Sequence, residues 1–98
     1  MALDIQWTKR ADKKFDQIIN YLLEEWNPKV TSSFVKNIYD LVDLLAEYPE
    51  IGTMENFGKG IRGLTVVKQV NIFYKVKGNQ LIILNFFDNR KDPKEKRF

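Results

Sequence analysis

Ninety-eight residues, 44% hydrophobic and 30% charged, make one soluble globular domain spanning residues 1–98, with a single modest core. The absence of Cys and His excludes disulfides and thiol chemistry, and it removes the usual neutral-pH base and the commonest transition-metal ligand. No apolar run approaches the roughly 20 residues of a bilayer-spanning helix, and the formal net charge is +3.

The chain opens on Met1-Ala2-Leu3-Asp4, without a basic or apolar leader, so a cytoplasmic protein with no membrane partner is expected. Leu3, Ile5 and Trp7 alternate with polar residues, the period of a half-buried strand. Thr8 then offers a hydroxyl to cap a helix. Ala11, Phe15, Ile18, Ile19, Leu22, Leu23 and Trp26 recur at three- and four-residue intervals and predict an amphipathic helix over Asp12–Glu25. Asn27-Pro28 ends it and starts a second, with Asn as cap and Pro at the first helical position. Val30, Phe34, Ile38, Leu41, Leu45 and Tyr48 form that helix's expected stripe, and Pro49 stops it. Both Trp7 and Trp26 are expected in the core; Tyr21, off the stripe, and the terminal Phe98 are the candidates for exposed aromatics.

A Gly-punctuated loop without periodicity follows, through Gly52, Gly58 and Gly60. Three strand-like runs close the chain: Ile61–Val67, Gln69–Val76 and Gln80–Phe87. The second places Val70, Ile72, Tyr74 and Val76 on one face and Asn71, Phe73 and Lys75 on the other, and Lys77-Gly78-Asn79 supplies a hairpin turn. The third, Leu81-Ile82-Ile83-Leu84-Asn85-Phe86-Phe87, is apolar on both faces, as in a central strand covered on each side. Two helices cover only one side of so small a sheet, so either the core wraps round or the second face is left for a partner chain. The order β-α-α-β-β-β predicts an α+β domain, a long helical hairpin packed on one face of a small, mainly antiparallel sheet.

Charge is unevenly divided. Residues 1–58 hold 6 Lys/Arg against 10 Asp/Glu, a balance of −4, and residues 59–98 hold 10 against 3, a balance of +7. Either the C-terminal half meets an acidic partner or polyanion, or it is an ordinary solvated basic surface.

With this element order, the phrases Tyr48-Pro49-Glu50-Ile51-Gly52, Gly60-Ile61-Arg62, Ile72-Phe73-Tyr74-Lys75-Val76, Leu81-Ile82-Ile83-Leu84 and Asp88-Asn89-Arg90-Lys91-Asp92-Pro93 resemble the RelE/ParE toxins of bacterial type II toxin–antitoxin systems, the plasmid-stabilisation proteins, over nearly the whole chain. The resemblance implies a growth inhibitor neutralised by a cognate antitoxin, working without cofactor or metal. Its two branches differ in target. RelE-like members cut messenger RNA on the ribosome, and ParE-like members act on DNA gyrase.

Metal-free RNA cleavage needs a proton acceptor, cations for the phosphate and an acid for the leaving oxygen. Arg62 and Arg90 match basic positions of the RelE-like site and are its catalytic candidates here. Other positions depart from it: Leu64 stands where a second sheet lysine is expected, Asn71 replaces an arginine, and no Tyr follows Arg90. Glu55 could act as a base, but it lies in the loop and is expected to be solvated. The long hairpin also resembles the ParE-like branch, so the expectation is a non-enzymatic toxin directed at gyrase. A RelE-like ribonuclease and an inactive toxin-like binding module are the alternatives. The candidate contacts for antitoxin or target are Arg62, Lys68, Lys75, Arg90 and Lys91.

Overall fold

The computed structural model describes residues 2–67 and 70–88. Strand β1 (Asp4–Trp7) leads through Thr8 into helix α1 (Lys9–Glu25), and helix α2 (Pro28–Glu47) returns to a 3-10 turn (Pro49–Ile51). Four strands follow: β2 (Thr53–Asn56), β3 (Ile61–Val67), β4 (Val70–Lys77) and β5 (Gln80–Asp88). They form one sheet in the order β1-β5-β4-β3-β2, antiparallel except for the β1–β5 pair. This is the expected α+β architecture with one strand more, because the loop before residue 61 contains β2. Four residues without a strong alternation leave no periodic signal, and β2 exists because β3 offers it a hydrogen-bonding edge.

Both helices start where their capping groups stand. Thr8 Oγ1 accepts from Ala11 N at 3.1 Å, and Asn27 Oδ1 accepts from Val30 N at 2.9 Å, with Pro28 in the first turn. Gly78, at φ +60°, makes the β4–β5 turn.

The expected central strand is central: β5 lies between β1 and β4. Its register also explains how one apolar run serves two faces. Tyr74 pairs with Ile83 but Phe73 pairs with Asn85, so Leu84 is an extra residue in β5, a β-bulge. Strict alternation would continue Leu81 and Ile83 with Asn85. The bulge resets the phase, and Leu81, Ile83 and Phe86 join the helices in the main core. Phe87 turns to the opposite face, where it is buried with Phe73 and Ile61 beside half-buried Leu84. The core therefore continues on the second face, and Phe73, expected among polar neighbours, is buried there. Buried Asn85 accepts from Phe86 N through Oδ1 at 2.9 Å.

Thr8 locks α1 onto this irregularity. Its N–H donates to Ile83 O at 3.1 Å and its hydroxyl to Leu84 O at 2.9 Å, while the same oxygen caps the helix. The rings of Trp7, Phe15 and Phe86 pack against one another beside it, each pair with centroids 5.3 Å apart.

Several expected core residues lie outside it. Leu23 and Trp26 at the end of α1, Val30 and Tyr48 at the ends of α2, and Val76 at the end of β4 are exposed. Each continues the apolar period at or near an end of its element, where it is left exposed. In α2 the inward stripe drifts to Val42 and Ala46 in place of Leu41 and Tyr48. Tyr21, expected outside, is half-buried against the main core. Phe98 lies outside the described residues. Among the described residues, no helix is long and apolar enough to cross a membrane.

Thr8→Val keeps the volume and removes both the cap and the bond to Leu84. It should cost about 1–2 kcal/mol of unfolding free energy, measured by urea denaturation, with the midpoint lowered at unchanged slope.

Candidate functional site

The two described basic candidates do not share a surface. Arg62 pairs with Tyr74 in the β3–β4 ladder, and Tyr74 belongs to the helix-side core. Lys75 is the next residue of β4 and therefore projects from the opposite face, across from Ile82. Lys68, Arg90 and Lys91 lie outside the described residues.

Arg62 is engaged with the backbone. Its Nη1 donates to Gly52 O at 2.7 Å and to Glu50 O at 3.3 Å, both in or beside the 3-10 turn. Tyr74 holds the same turn from beneath. Its hydroxyl, fully buried, donates to Pro49 O at 2.7 Å and accepts from Gly52 N at 2.8 Å. A Cβ on residue 52 would stand 2.4 Å from that hydroxyl and 3.0 Å from Gly63 O, so only glycine lets the turn approach. Burial pushes the Tyr74 phenol above its ordinary pKa, against smaller opposing effects of the Gly52 hydrogen bond and the Arg62 charge. The clamp thus joins the end of α2 to β3 and β4 through hydrogen bonds within the chain.

In the sequence Pro49 marks a helix stop and Tyr48-Pro49-Glu50-Ile51-Gly52 belongs to the family resemblance, but nothing there marks Tyr74 as the group that receives the turn. The one available signal was Gly52 directly after the turn. A buried tyrosine hydroxyl needs a partner, but nothing local says that the partner lies 22 to 25 residues earlier.

Glu55 sits on β2, a strand and not the expected loop, and is solvent-exposed as anticipated. Its side-chain stem lies over Gly63 beside the Phe73 ring: a Cβ at residue 63 would be 2.9 Å from Glu55 Cγ and 2.9 Å from Phe73 Cε1. Asn71, the position at which the resemblance expects a cation, is buried and accepts from Thr65 Oγ1 at 2.8 Å. Around Arg62 stand the buried Tyr74 phenol, hydrogen-bonded to the turn, and exposed Glu50, whose charge also acts on that phenol.

Residues 5–93 match the family model described as the ParE toxin of the type II toxin–antitoxin system parDE. The chain belongs to the ParE toxin family. No sequence among curated proteins matches it. In fold, this ParE-family chain is similar to a chromosomal ParDE toxin–antitoxin system from P. aeruginosa, with TM-score 0.74 and 21% identity over 89% of this chain and 96% of that one. It is also similar to a YoeB/ParE toxin from Agrobacterium tumefaciens (TM-score 0.63, 15% identity, 88% and 98% covered). A chain of the RelBE2 toxin–antitoxin complex from Mycobacterium tuberculosis is similar at TM-score 0.61 and 12% identity, with 90% and 99% covered. At such identities the likeness is one of fold, and that fold is common to toxins named for both branches.

Tyr74→Phe leaves the Pro49 carbonyl and Gly52 N–H without their partner, and should cost about 1–3 kcal/mol. The raised phenol pKa adds a pH dependence. Above the unfolded tyrosine value the unfolded chain binds fewer protons, so Tyr74 makes stability fall as pH rises above about 10. That part of the alkaline loss should be smaller in Tyr74→Phe, as seen by comparing chemical denaturation of the two proteins at neutral pH and above pH 10.

Proposed function

We propose that this ParE-family chain is a growth-arresting toxin that acts by docking on DNA gyrase, without catalysis of its own, and is held inactive by a cognate antitoxin. The observation that carries the reading is the state of Arg62. Its guanidinium bonds to Gly52 O and Glu50 O, as part of the fold's framework. The nearest phenol, Tyr74, is buried and hydrogen-bonded on both sides, and its raised pKa makes it a poor base. Asn71 stands in place of a cation and the chain has no His. A docking toxin needs a surface and no proton relay, and the 17- and 20-residue helices supply an extended one.

The antitoxin partner rests on family membership and on the likeness in fold to ParDE and RelBE2 toxin–antitoxin systems. The +7 balance of residues 59–98 favours an acidic antitoxin segment on the sheet side. Lys75, which projects from the face opposite the helices, is the described basic residue suited to receive it. Lys68, Arg90 and Lys91 are proposed as its companions.

Induced alone in a bacterial host, the chain should stop division, with filamentation and DNA damage, while bulk messenger RNA stays intact. Coexpression of the adjacent antitoxin frame should restore growth. Sequencing of RNA ends is the deciding measurement: new ends at ribosome-occupied codons would make this a ribonuclease and return Arg62 and Arg90 to catalytic candidacy. Normal growth with folded protein present would leave the inactive binding module.

Charge reversal tests the docking face separately. Lys68→Glu with Lys75→Glu should slow antitoxin association and flatten its salt dependence, with a smaller effect on dissociation, in stopped-flow traces at several salt concentrations. An unchanged association rate at low salt would remove the basic half from the encounter.

A further inference from the structure

The hairpin of β2 and β3 ends in a tip whose residues the fold explains only in part. Asn56 pairs with Ile61, so residues 57–60 form the connecting loop. Asn56 Oδ1 accepts from Lys59 N at 3.0 Å, Gly60 N donates to Phe57 O at 3.3 Å, and Gly60 stands at φ +68°. These bonds close a β-turn from Phe57 to Gly60 and account for Asn56 and Gly60. Phe57 and Gly58 have no such reason.

The first position of a β-turn favours Asp, Asn or Ser. Here a phenylalanine occupies it and is 84% exposed, against 59% for Trp26, the next most exposed large apolar side chain among the described residues. Scattered apolar residues on a surface are ordinary, but this ring is nearly bare. Gly58 does not have positive φ, and a Cβ there would meet only Asn56 Oδ1 at 3.5 Å, an ordinary contact. Neither backbone conformation nor internal space requires a glycine, which costs chain entropy on folding. Its effect is to leave the backbone beside the ring open to close approach.

The hairpin is anchored at its base. Arg62 Nη1 bonds to Gly52 O, and β3 is paired along its other edge with β4. The ring is thus set in an ordered frame before contact, which reduces the cost of association.

The charges at the tip are Glu55 and Lys59, both exposed, and they cancel. A nucleic acid calls for a basic footprint along its phosphates. Residues 55–60 also offer Phe57 no apolar companion, so the tip presents a single knob and not a face for a second copy. A lone ring beside balanced charges suits a pocket in a protein, where aromatic anchors supply much of the binding energy.

We propose that Phe57 anchors the chain by entering an apolar pocket on its protein target. Gly58 admits the pocket wall, and Lys59 meets an acidic group at the rim. The inference rests on the reading of gyrase as that target and names the contact within it.

The test uses the full chain and purified gyrase holoenzyme, with binding and inhibition of supercoiling both measured. Phe57→Ser should weaken both at least about tenfold, and Phe57→Tyr should largely retain them. Gly58→Gln should weaken binding at least about fivefold, because its side chain fills the open flank of the ring. Phe57→Ser and Gly58→Gln should unfold at or above the wild-type urea midpoint and bind the cognate antitoxin as the wild type does. Equal binding of gyrase by wild type and Phe57→Ser would overturn the anchor and leave the gyrase reading standing. A wild-type chain that neither binds nor inhibits gyrase would overturn that reading and the anchor with it. Phe57→Ser that weakens the antitoxin as much as gyrase, or instead of it, would assign the tip to the antitoxin and overturn the proposal. So would binding of duplex DNA without gyrase that Phe57→Ser abolishes.

Discussion

The structure depends on one extra residue, Leu84, in the central strand. Without it, Asn85 would follow Leu81 and Ile83 into the helix-side core and Phe86 would turn away. A buried amide among aliphatic side chains and a lost aromatic contact would both be unfavourable. With it, Phe86 meets Trp7 and Phe15, Asn85 bonds to the neighbouring backbone, and Phe87 founds a second small core with Phe73 and Ile61. Thr8 bonds the bulge carbonyl and caps α1 with the same oxygen, so the helix start and the strand's change of phase are one local structure.

A second constraint shapes the functional surface. The turn after α2 must approach the sheet closely enough for Tyr74 to reach it, and only a glycine at residue 52 leaves the space. Once that approach is made, Arg62 is drawn to the turn's carbonyls and held away from the face on which Lys75 lies. A residue that the family resemblance marks for chemistry is thereby hydrogen-bonded to the backbone of its own chain. The same fold is found in toxins named for both branches, so topology alone does not choose between them.

The uneven charge of the chain follows its order of elements. The acids of residues 37–58 lie from α2 to β2, and the basic half supplies strands β3, β4 and β5.

Much of this was legible in the residues alone. Thr8 and Asn27 as caps, Pro28 as a first-turn residue, the stripe of α1 and the hairpin turn at Gly78 are local signals, and local hydrogen bonding or sterics suffices to produce them. The central position of β5 followed from its being apolar on both faces. What only the tertiary structure decided involves partners distant in sequence. The β2 strand exists because β3 offers an edge, and the bulge at Leu84 follows from fitting two faces at once. Trp26, on the apolar period but just past the end of α1, is left exposed. Arg62 shows the limit most clearly: its chemistry is set by residue type, but its role is set by carbonyls 10 and 12 residues away, whose position depends on the whole packing of helix on sheet.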